Sequence, residues 1–424
     1  MRIINTCSLL LLSFFLSSSS CDKKITEIKD NGELMNQPSN PITIDLNGSD
    51  SSMVKCDLAF SFDFFSKVLL EEQSDKDESF MISPFSLSMA LAMTWNGSEG
   101  DTKLAMQDVL RIDGRTDDEV NSYFNKLKGA FEKTDPTTKL SIANSIWTNK
   151  NVEILPTFVS VNKSYYNAAV EAVDFTEPVT VSKINKWAAY NTNGLIESVI
   201  DETQPSDLMY LLNALYFKGI WVSEFDKSNT QKMTFTTDSI TQTEVDMMHQ
   251  EAKFNYAFDE NLQIVELPYG NGAFSMMVLL PKESKQLLDI AELLQQKDYW
   301  SNFKEKMSNK KVDLFLPKFK TKYSKKLNSV LTDMGMGIAF HAEKANFSRM
   351  SSRDAFISLV SQDTYIETDE IGTEAAAVTS VGVTVTSMPA REEKNVFKAD
   401  RPFIYMIQEK SSGAILFMGV VKRF

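Results

Sequence analysis

Between Thr373 and Thr386 the chain alternates without a break. Thr373, Ala375, Ala377, Thr379, Val381, Val383 and Val385 form one set, every member small or β-branched and none charged. Glu374, Ala376, Val378, Ser380, Gly382, Thr384 and Thr386 form the other, which holds the only charge and most of the polar groups. Successive side chains of a strand point to opposite faces, so this is the pattern of a strand with one face buried. At roughly 3.3 Å per residue, about thirteen residues span about 43 Å. Only a large sheet can hold a strand of that length.

The rest of the chain supplies material for such a sheet. Leu140 to Thr148 alternates in part, with Leu140, Ile142 and Ile146 as its apolar members. Leu262 to Leu267 and Phe274 to Leu280 are apolar runs joined by Pro268-Tyr269-Gly270-Asn271-Gly272, a strong turn signal. Val312, Leu314 and Leu316 share one strand face, and Ala414 to Val421 reads as a strand covered on both sides. The first half is helical instead. Phe60, Phe64, Phe65, Val68 and Leu69 recur at helical spacing, Ser86 to Met93 follows Pro84 as a buried helix, and Thr102 to Leu110 forms another. Helices first and antiparallel sheets later make the fold class α+β. No second linker and no internal repeat interrupts 54–424, which reads as one domain.

Several functions are excluded by composition. The chain has 424 residues with 43% hydrophobic and 24% charged, a globular balance. The net charge of -13 argues against nucleic acid or anionic lipid as a general partner, since both need excess Lys and Arg. Cys7 and Cys21 lie in the N-terminal segment, so Cys56 is alone in the body and reads as a small buried apolar residue. His249 and His341 have no Cys or His neighbour at metal-ligand spacing, so no metal or cofactor is expected. A Ser-His-Asp site would need one of these histidines, and no G-x-S-x-G elbow occurs. Gly270-Asn271-Gly272 is a hairpin turn rather than a phosphate loop. No run of Lys and Arg marks a site for a polyanionic activator. A monomer is expected.

The N-terminus reads as an export signal. Arg2 precedes the apolar stretch Leu9 to Leu16, which is too short to span a bilayer, and small residues Ser17 to Ser20 lead to Cys21. Small residues before a cysteine resemble a bacterial lipobox, with Ser18 where leucine is favoured. The resemblance implies a signal peptide over 1–20 and a lipidated Cys21, followed by a polar, flexible tether to residue 53. The protein is then a membrane-anchored lipoprotein at the cell surface or in the periplasm. The alternative is plain secretion with a free Cys21.

Seven stretches in order resemble the serpin family, from about residue 57 to the C-terminus. Ile82-Ser83-Pro84-Phe85-Ser86 is similar to its early helix-start motif, and Asn213-Ala214-Leu215-Tyr216-Phe217-Lys218-Gly219-Ile220-Trp221 to its central strand. Leu267-Pro268-Tyr269, Leu316-Pro317-Lys318-Phe319, Ala345-Asn346-Phe347-Ser348, Asp400-Arg401-Pro402-Phe403 and Ile415-Leu416-Phe417-Met418-Gly419 complete the series. Glu370-Ile371-Gly372-Thr373-Glu374-Ala375-Ala376-Ala377-Val378-Thr379 resembles the hinge of the family's reactive-centre loop, placed here at about 370–396. The resemblance implies a fold of helices on large, mostly antiparallel sheets with that loop exposed. It also implies a suicide-substrate mechanism. A serine protease, or a cysteine protease, cuts the loop and becomes acyl-linked, the loop inserts into the main sheet, and the protease is carried to the far end and distorted. The uncut fold is then metastable and kinetically held.

The residues fit that mechanism. Small side chains at the hinge slide easily between two strands, whereas a charged one at 373, 375 or 377 would bury an unpaired group. Gly372 offers a backbone pivot. Family spacing from Glu370 puts the cleaved bond at Thr386–Ser387, with Val385–Thr386 and Ser387–Met388 as alternatives. Cutting at Arg391–Glu392 would leave slack that spoils the trap. Thr and Val at the bond suit elastase-like or subtilisin-like proteases, whose shallow pockets discriminate modestly. Ser83, Ser86 and Asn213 match family positions under the sheet's opening, Gln362 stands where the family often has a histidine, and Trp221 matches the tryptophan at the start of insertion. The main rival is a non-inhibitory serpin acting as carrier, chaperone or surface binding protein. Such members carry charged, bulky or Pro residues in the hinge, and Thr373-Glu374-Ala375-Ala376-Ala377 has only the Glu of the inhibitory pattern. A purely structural lipoprotein would explain the tether but not the alternation.

Overall fold

A computed structural model of the chain describes residues 40–75, 78–238, 241–373 and 395–424. Among these residues the strands form two sheets. One runs Phe319–Lys326, Leu359–Thr368, Gly372–Thr373, Met209–Ile220, Lys139–Asn149, Ala169–Val173 in spatial order, and is called the central sheet below. The other is built around the hairpin Leu262–Tyr269 and Phe274–Pro281, the C-terminal pair Phe403–Glu409 and Ile415–Val421, and the long strand Gln242–Phe258. Pairing in both is mostly antiparallel, and helices pack against them, which is the α+β architecture the sequence pattern implies.

The apolar patterns become elements for simple reasons. The periodic Phe60, Phe64, Phe65, Val68 and Leu69 lie on the helix Gly48–Asp75 and are buried in the main core. Pro84 sits in the first turn of Pro84–Trp95, where its missing N–H costs nothing, and Ser83 caps that turn through Ser86 N. Every residue of this helix is buried, so it lies beneath the sheets rather than on them. Ile415–Val421 is buried at every position, between Phe80–Ile82 and Phe403–Glu409. The hairpin strand extends through Tyr269, so the turn begins at Gly270 rather than Pro268. The central sheet is covered on both faces. The main core lies on one side, and the helix Pro178–Asn191 lies on the other, over clusters that include Trp147, Tyr210, Leu212 and Ala214.

The folded body begins ahead of residue 54, against the expectation of a tether that far. The helix starts at Gly48, where Asn47 and Asp50 cap one another, and Ile44 upstream is buried. The Ile42 carbonyl accepts from Thr134 Oγ1 at 2.7 Å, and Ile44 N donates to Ser411 Oγ at 3.0 Å. A polar composition hid one apolar anchor, Ile44, which docks, while the Ile42 side chain stays exposed. Residues 1–39, including Cys21, lie outside the described residues.

One buried carboxyl tests the packing of the helical layer. Asp57 accepts from Ser88 Oγ at 2.6 Å and from Tyr123 OH at 3.5 Å, joining three helices. Burial pushes its pKa up to about 7, and the two hydrogen bonds only partly oppose that. The folded state therefore keeps a proton that the unfolded chain has lost above about pH 4. This contribution is complete below pH 4 and is lost as pH rises to 7. Asp57→Asn removes it. The variant is expected to gain on the wild type by up to about 4 kcal/mol between pH 4 and pH 7.5, read from urea midpoints. A gap that does not change with pH would contradict this assignment.

Candidate functional site

The central sheet is joined at one end and parted at the other. Leu359–Thr368 pairs in parallel with Met209–Ile220 only from Leu359 opposite Tyr210 to Asp363 opposite Ala214. Beyond that, among the described residues, Thr364 to Glu367 and Leu215 to Lys218 form no register across the gap. Each strand is paired on its other side, to Phe319–Lys326 and to Lys139–Asn149. At the open end, Gly372 and Thr373 stand between the two strands. Thr373 is opposite Thr368 on one side and Gly219 on the other, and Gly372 is opposite Ile220. Both pairings are antiparallel, which is the direction a strand must have to fill the gap.

Side chains fix the start of the hinge there. Asp369 Oδ1 accepts from the N–H groups of Ile371 and Gly372 at 2.9 and 3.1 Å, which turns the chain back between the strands. Gly372 is needed for close approach. A Cβ on it would overlap the Gly219 carbonyl oxygen and stand 2.8 Å from Ile220 Cα, and its φ is not positive. The pivot expected from its freedom is thus a matter of space. Thr373 is fully buried, with its Oγ1 2.7 Å from Tyr269 OH. Burial holds the Tyr269 hydroxyl protonated far above its usual range, although the Thr373 contact opposes this. Glu370 is buried, 3.0 Å from Lys318 Nζ, and accepts from Thr230 Oγ1 at 2.8 Å. Burial pushes its carboxyl up, but the hydrogen bonds from Lys318, the backbone and Thr230 outweigh that and hold it below the ordinary range. Trp221 stacks on Tyr269 with ring centroids 4.3 Å apart, and its Nε1 donates to the Asp369 carbonyl at 3.0 Å.

A second cluster sits where the two strands still pair. Gln362 and Asn213 are directly opposite in the register. Gln362 Nε2 donates to Asn213 Oδ1 at 2.7 Å and to the Ser83 carbonyl at 2.9 Å, while Gln362 Oε1 accepts from Ser83 N at 2.7 Å. Asn213 Nδ2 donates to Ser86 Oγ and to Asn144 Oδ1. Ser83 Oγ donates to the Leu416 carbonyl at 2.5 Å. All five side chains are buried. Gln362 makes three bonds with one amide. A neutral imidazole, with one donor and one acceptor, could make two. The glutamine thus ties both central strands and the start of the helix Pro84–Trp95 without a titrating group of its own.

The structure brings Ser83, Ser86, Asn213 and Gln362 together and separates Trp221 from them. Trp221 lies at the open end with Glu370, Gly372 and Thr373, eight residues up the central strand from Asn213, roughly 26 Å at strand rise. The hinge residues Glu374, Ala375, Ala376, Ala377 and Val378, and the bond residues Val385, Thr386, Ser387 and Met388, lie outside the described residues. Sequence reasoning missed Asn144, Thr230 and Lys318, which contact Asn213 and Glu370 in these two clusters. Asn144 had a signal, an amide amid the apolar members of Leu140 to Thr148, and its Nδ2 is buried without a partner among the described residues. Thr230 had none. His249 lies 2.7 Å from Asp313 and stacks on Phe315, and His341 is exposed.

Comparison with known proteins bears on this arrangement. A family model described as serpin (serine protease inhibitor) matches residues 57–423. A protein named leukocyte elastase inhibitor from Xenopus laevis is 36% identical, covering 85% of this chain and 96% of its own length. A serpin-like protein of Methanosarcina acetivorans is 35% identical, covering 86% of this chain and 84% of the relative. The crystal structure of a thermophilic serpin, tengpin, in the native state matches with a TM-score of 0.81 at 30% identity, covering 92% of this chain and all of that one.

Two substitutions probe the two ends of the gap. Gly372→Ala is expected to push Thr373 out of the sheet and change tryptophan emission, because Trp221 packs on the same Tyr269 that holds Thr373. Unchanged emission would contradict the close approach. Gln362→Leu strands Ser83 N and Asn213 Oδ1 in the interior, at about 1–3 kcal/mol for each unpaired group. It is expected to lower the unfolding midpoint of the uncut protein, and a midpoint equal to the wild type would contradict the clamp.

Proposed function

The chain belongs to the serpin family, and on that premise we propose that it is an irreversible, suicide-substrate inhibitor of serine endopeptidases. The observation that carries the reading is the parted pair of central strands with Gly372 and Thr373 already between them. An antiparallel strand advances one residue as each neighbour retreats one. Continued in this register, the loop would meet Leu359 with residue 382 and Met209 with residue 383, so it would fill the whole length of both neighbours.

The side chains agree with that course. Thr373 faces the core, so residues 375, 377 and 379 would follow on that face. Ala375 would arrive between Phe217 and Ile366, and Ala377 between Leu215 and Thr364. Small residues suit positions already flanked by large ones. Thr379 would arrive between Asn213 and Gln362. Its hydroxyl both donates and accepts, so it can replace the amide contact that must part.

The chemistry is ordinary until the loop moves. The protease serine attacks the carbonyl carbon of Thr386, an ester forms, the amide to Ser387 breaks, and Ser387 leaves as a free amine. The ester would then travel with residue 386 to a point three residues past the end of the central strand. Val385 and Thr386 suit shallow, apolar specificity pockets, hence elastase-like or subtilisin-like targets, in keeping with the name of the elastase-inhibiting relative. Export through residues 1–20 with a lipid on Cys21, or plain secretion, would place the inhibitor where such proteases act.

The test is to mix the body lacking residues 1–21 with an elastase-like and a subtilisin-like protease and boil in denaturant. A band at the summed mass, and a released peptide beginning at Ser387, is the expected result. Ala375→Arg should abolish the band and leave cut inhibitor with active protease, since a charge would enter between Phe217 and Ile366. If the wild type gives only cut chain with every such protease, the inhibitory reading is wrong.

A further inference from the structure

Away from the hinge, a pocket opens at the start of the strand Lys139–Asn149, beneath the end of the helix Pro178–Asn191. Its volume is about 370 Å³. Ser141 and Tyr216 form its floor and are directly opposite one another across two central strands. One wall is Tyr190 and Asn191 at the helix end, with Asn193 in the turn that follows. The other wall is Glu132, in the last turn of the helix Asp117–Thr134.

Two lysines meet here. Lys139 lines the pocket. Lys218 is directly opposite Lys139 and two residues beyond Tyr216, so it shares the Tyr216 face. Like charges directly opposed across an antiparallel pair repel. Neither lysine forms an ion pair among the described residues. The negative charge on the walls does not balance them. Glu132 is held by Lys128 Nζ at 3.1 Å. The helix end carries only about half a negative charge, so two cations leave a surplus.

The rim adds an aromatic surface. Tyr190 is 88% exposed, the most exposed of the large hydrophobic side chains among the described residues. A ring left in water beside unpaired cations offers what a ring-bearing anion needs, a face to pack on and a charge to meet. Ligand pockets run from about 300 to about 1,000 Å³, and this one is at the small end, enough for a single ring.

We propose that this pocket is a binding site for a small organic anion, a carboxylate carried on one ring. The carboxylate would lie between Lys139 and Lys218, and the ring would pack against Tyr190. The amides of Asn191 and Asn193 can donate to or accept from polar groups on that ring. Such a ligand would touch two central strands and the helix that covers them, so it would stabilise the uncut body. The inference stands on the pocket alone and is independent of whether the protein inhibits proteases.

The experiment is calorimetric titration of the uncut protein with benzoate, with benzamide as its neutral counterpart, and with sulfate as an anion without a ring. The net charge of -13 repels anions in general, so uptake of benzoate reports a local site. Benzoate should saturate at one per chain, with benzamide and sulfate weaker by about threefold or more. Lys139→Gln and Lys218→Gln should each weaken benzoate by about threefold to fivefold, the size of a partly exposed ion pair, and Lys139→Arg and Lys218→Arg should keep it. Tyr190→Ala should weaken benzoate and leave sulfate unchanged. The glutamine variants should unfold at or above the wild-type midpoint, because each relieves the opposed pair, so lost binding cannot be put down to damaged folding. Benzoate that fails to saturate, or that binds both glutamine variants as tightly as the wild type, overturns the site. Equal affinity for benzoate and benzamide overturns the role of the two lysines.

Discussion

The Gln362 side chain is the point on which the central sheet turns. It holds Leu359–Thr368 to Met209–Ile220 through Asn213, and holds both to the start of the helix Pro84–Trp95 through the backbone of Ser83. The cluster is buried, so its bonds act in a medium where water does not compete, and any group left unpaired there is costly. Below it the strands share a ladder, and above it they do not. The sheet is therefore closed where a polar clamp holds it, and at the other end, among the described residues, Gly372 and Thr373 stand between its strands.

Other parts of the molecule are arranged around that asymmetry. Tyr269 joins the end of the central strand to the start of the hinge, stacking on Trp221 and touching Thr373. Glu370 and Lys318 tie the hinge to the second sheet, whose strand Ser308–Pro317 ends beside Lys318. The core face of the central sheet carries large side chains at Leu215, Phe217 and Ile366, and the alternating loop offers small ones in return. On the opposite face the helix Pro178–Asn191 covers Tyr210, Leu212 and Ala214, where the strands are paired, so any widening must also move against that layer.

Much of the fold was legible because periodic burial leaves periodic sequence. The helix carrying Phe60 to Leu69, the buried helix after Pro84 and the hairpin on either side of Gly270 followed from pattern alone. What was not legible depends on which strand meets which. No local pattern says that Gln362 and Asn213, far apart in the chain, share a register position, or that the pairing stops one residue later. Asn144 was visible as an amide in an apolar strand, but its partner was not. Gly372 was picked out for the freedom of its backbone, whereas the Gly219 carbonyl demands it for space. Ile44 was overlooked because one buried apolar side chain does not change the character of a polar segment.

The central claim is that the uncut sheet is incomplete and that the loop completes it. The most direct measurement is thermal unfolding before and after a single cut between residues 386 and 394. Completion adds a strand's worth of ladder bonds and buries the valines at 381, 383 and 385, so the cut protein should unfold at a much higher temperature than the intact one. An unchanged or lower transition after the cut would mean that the gap between the central strands does not accept the loop, and the account would be wrong at its base.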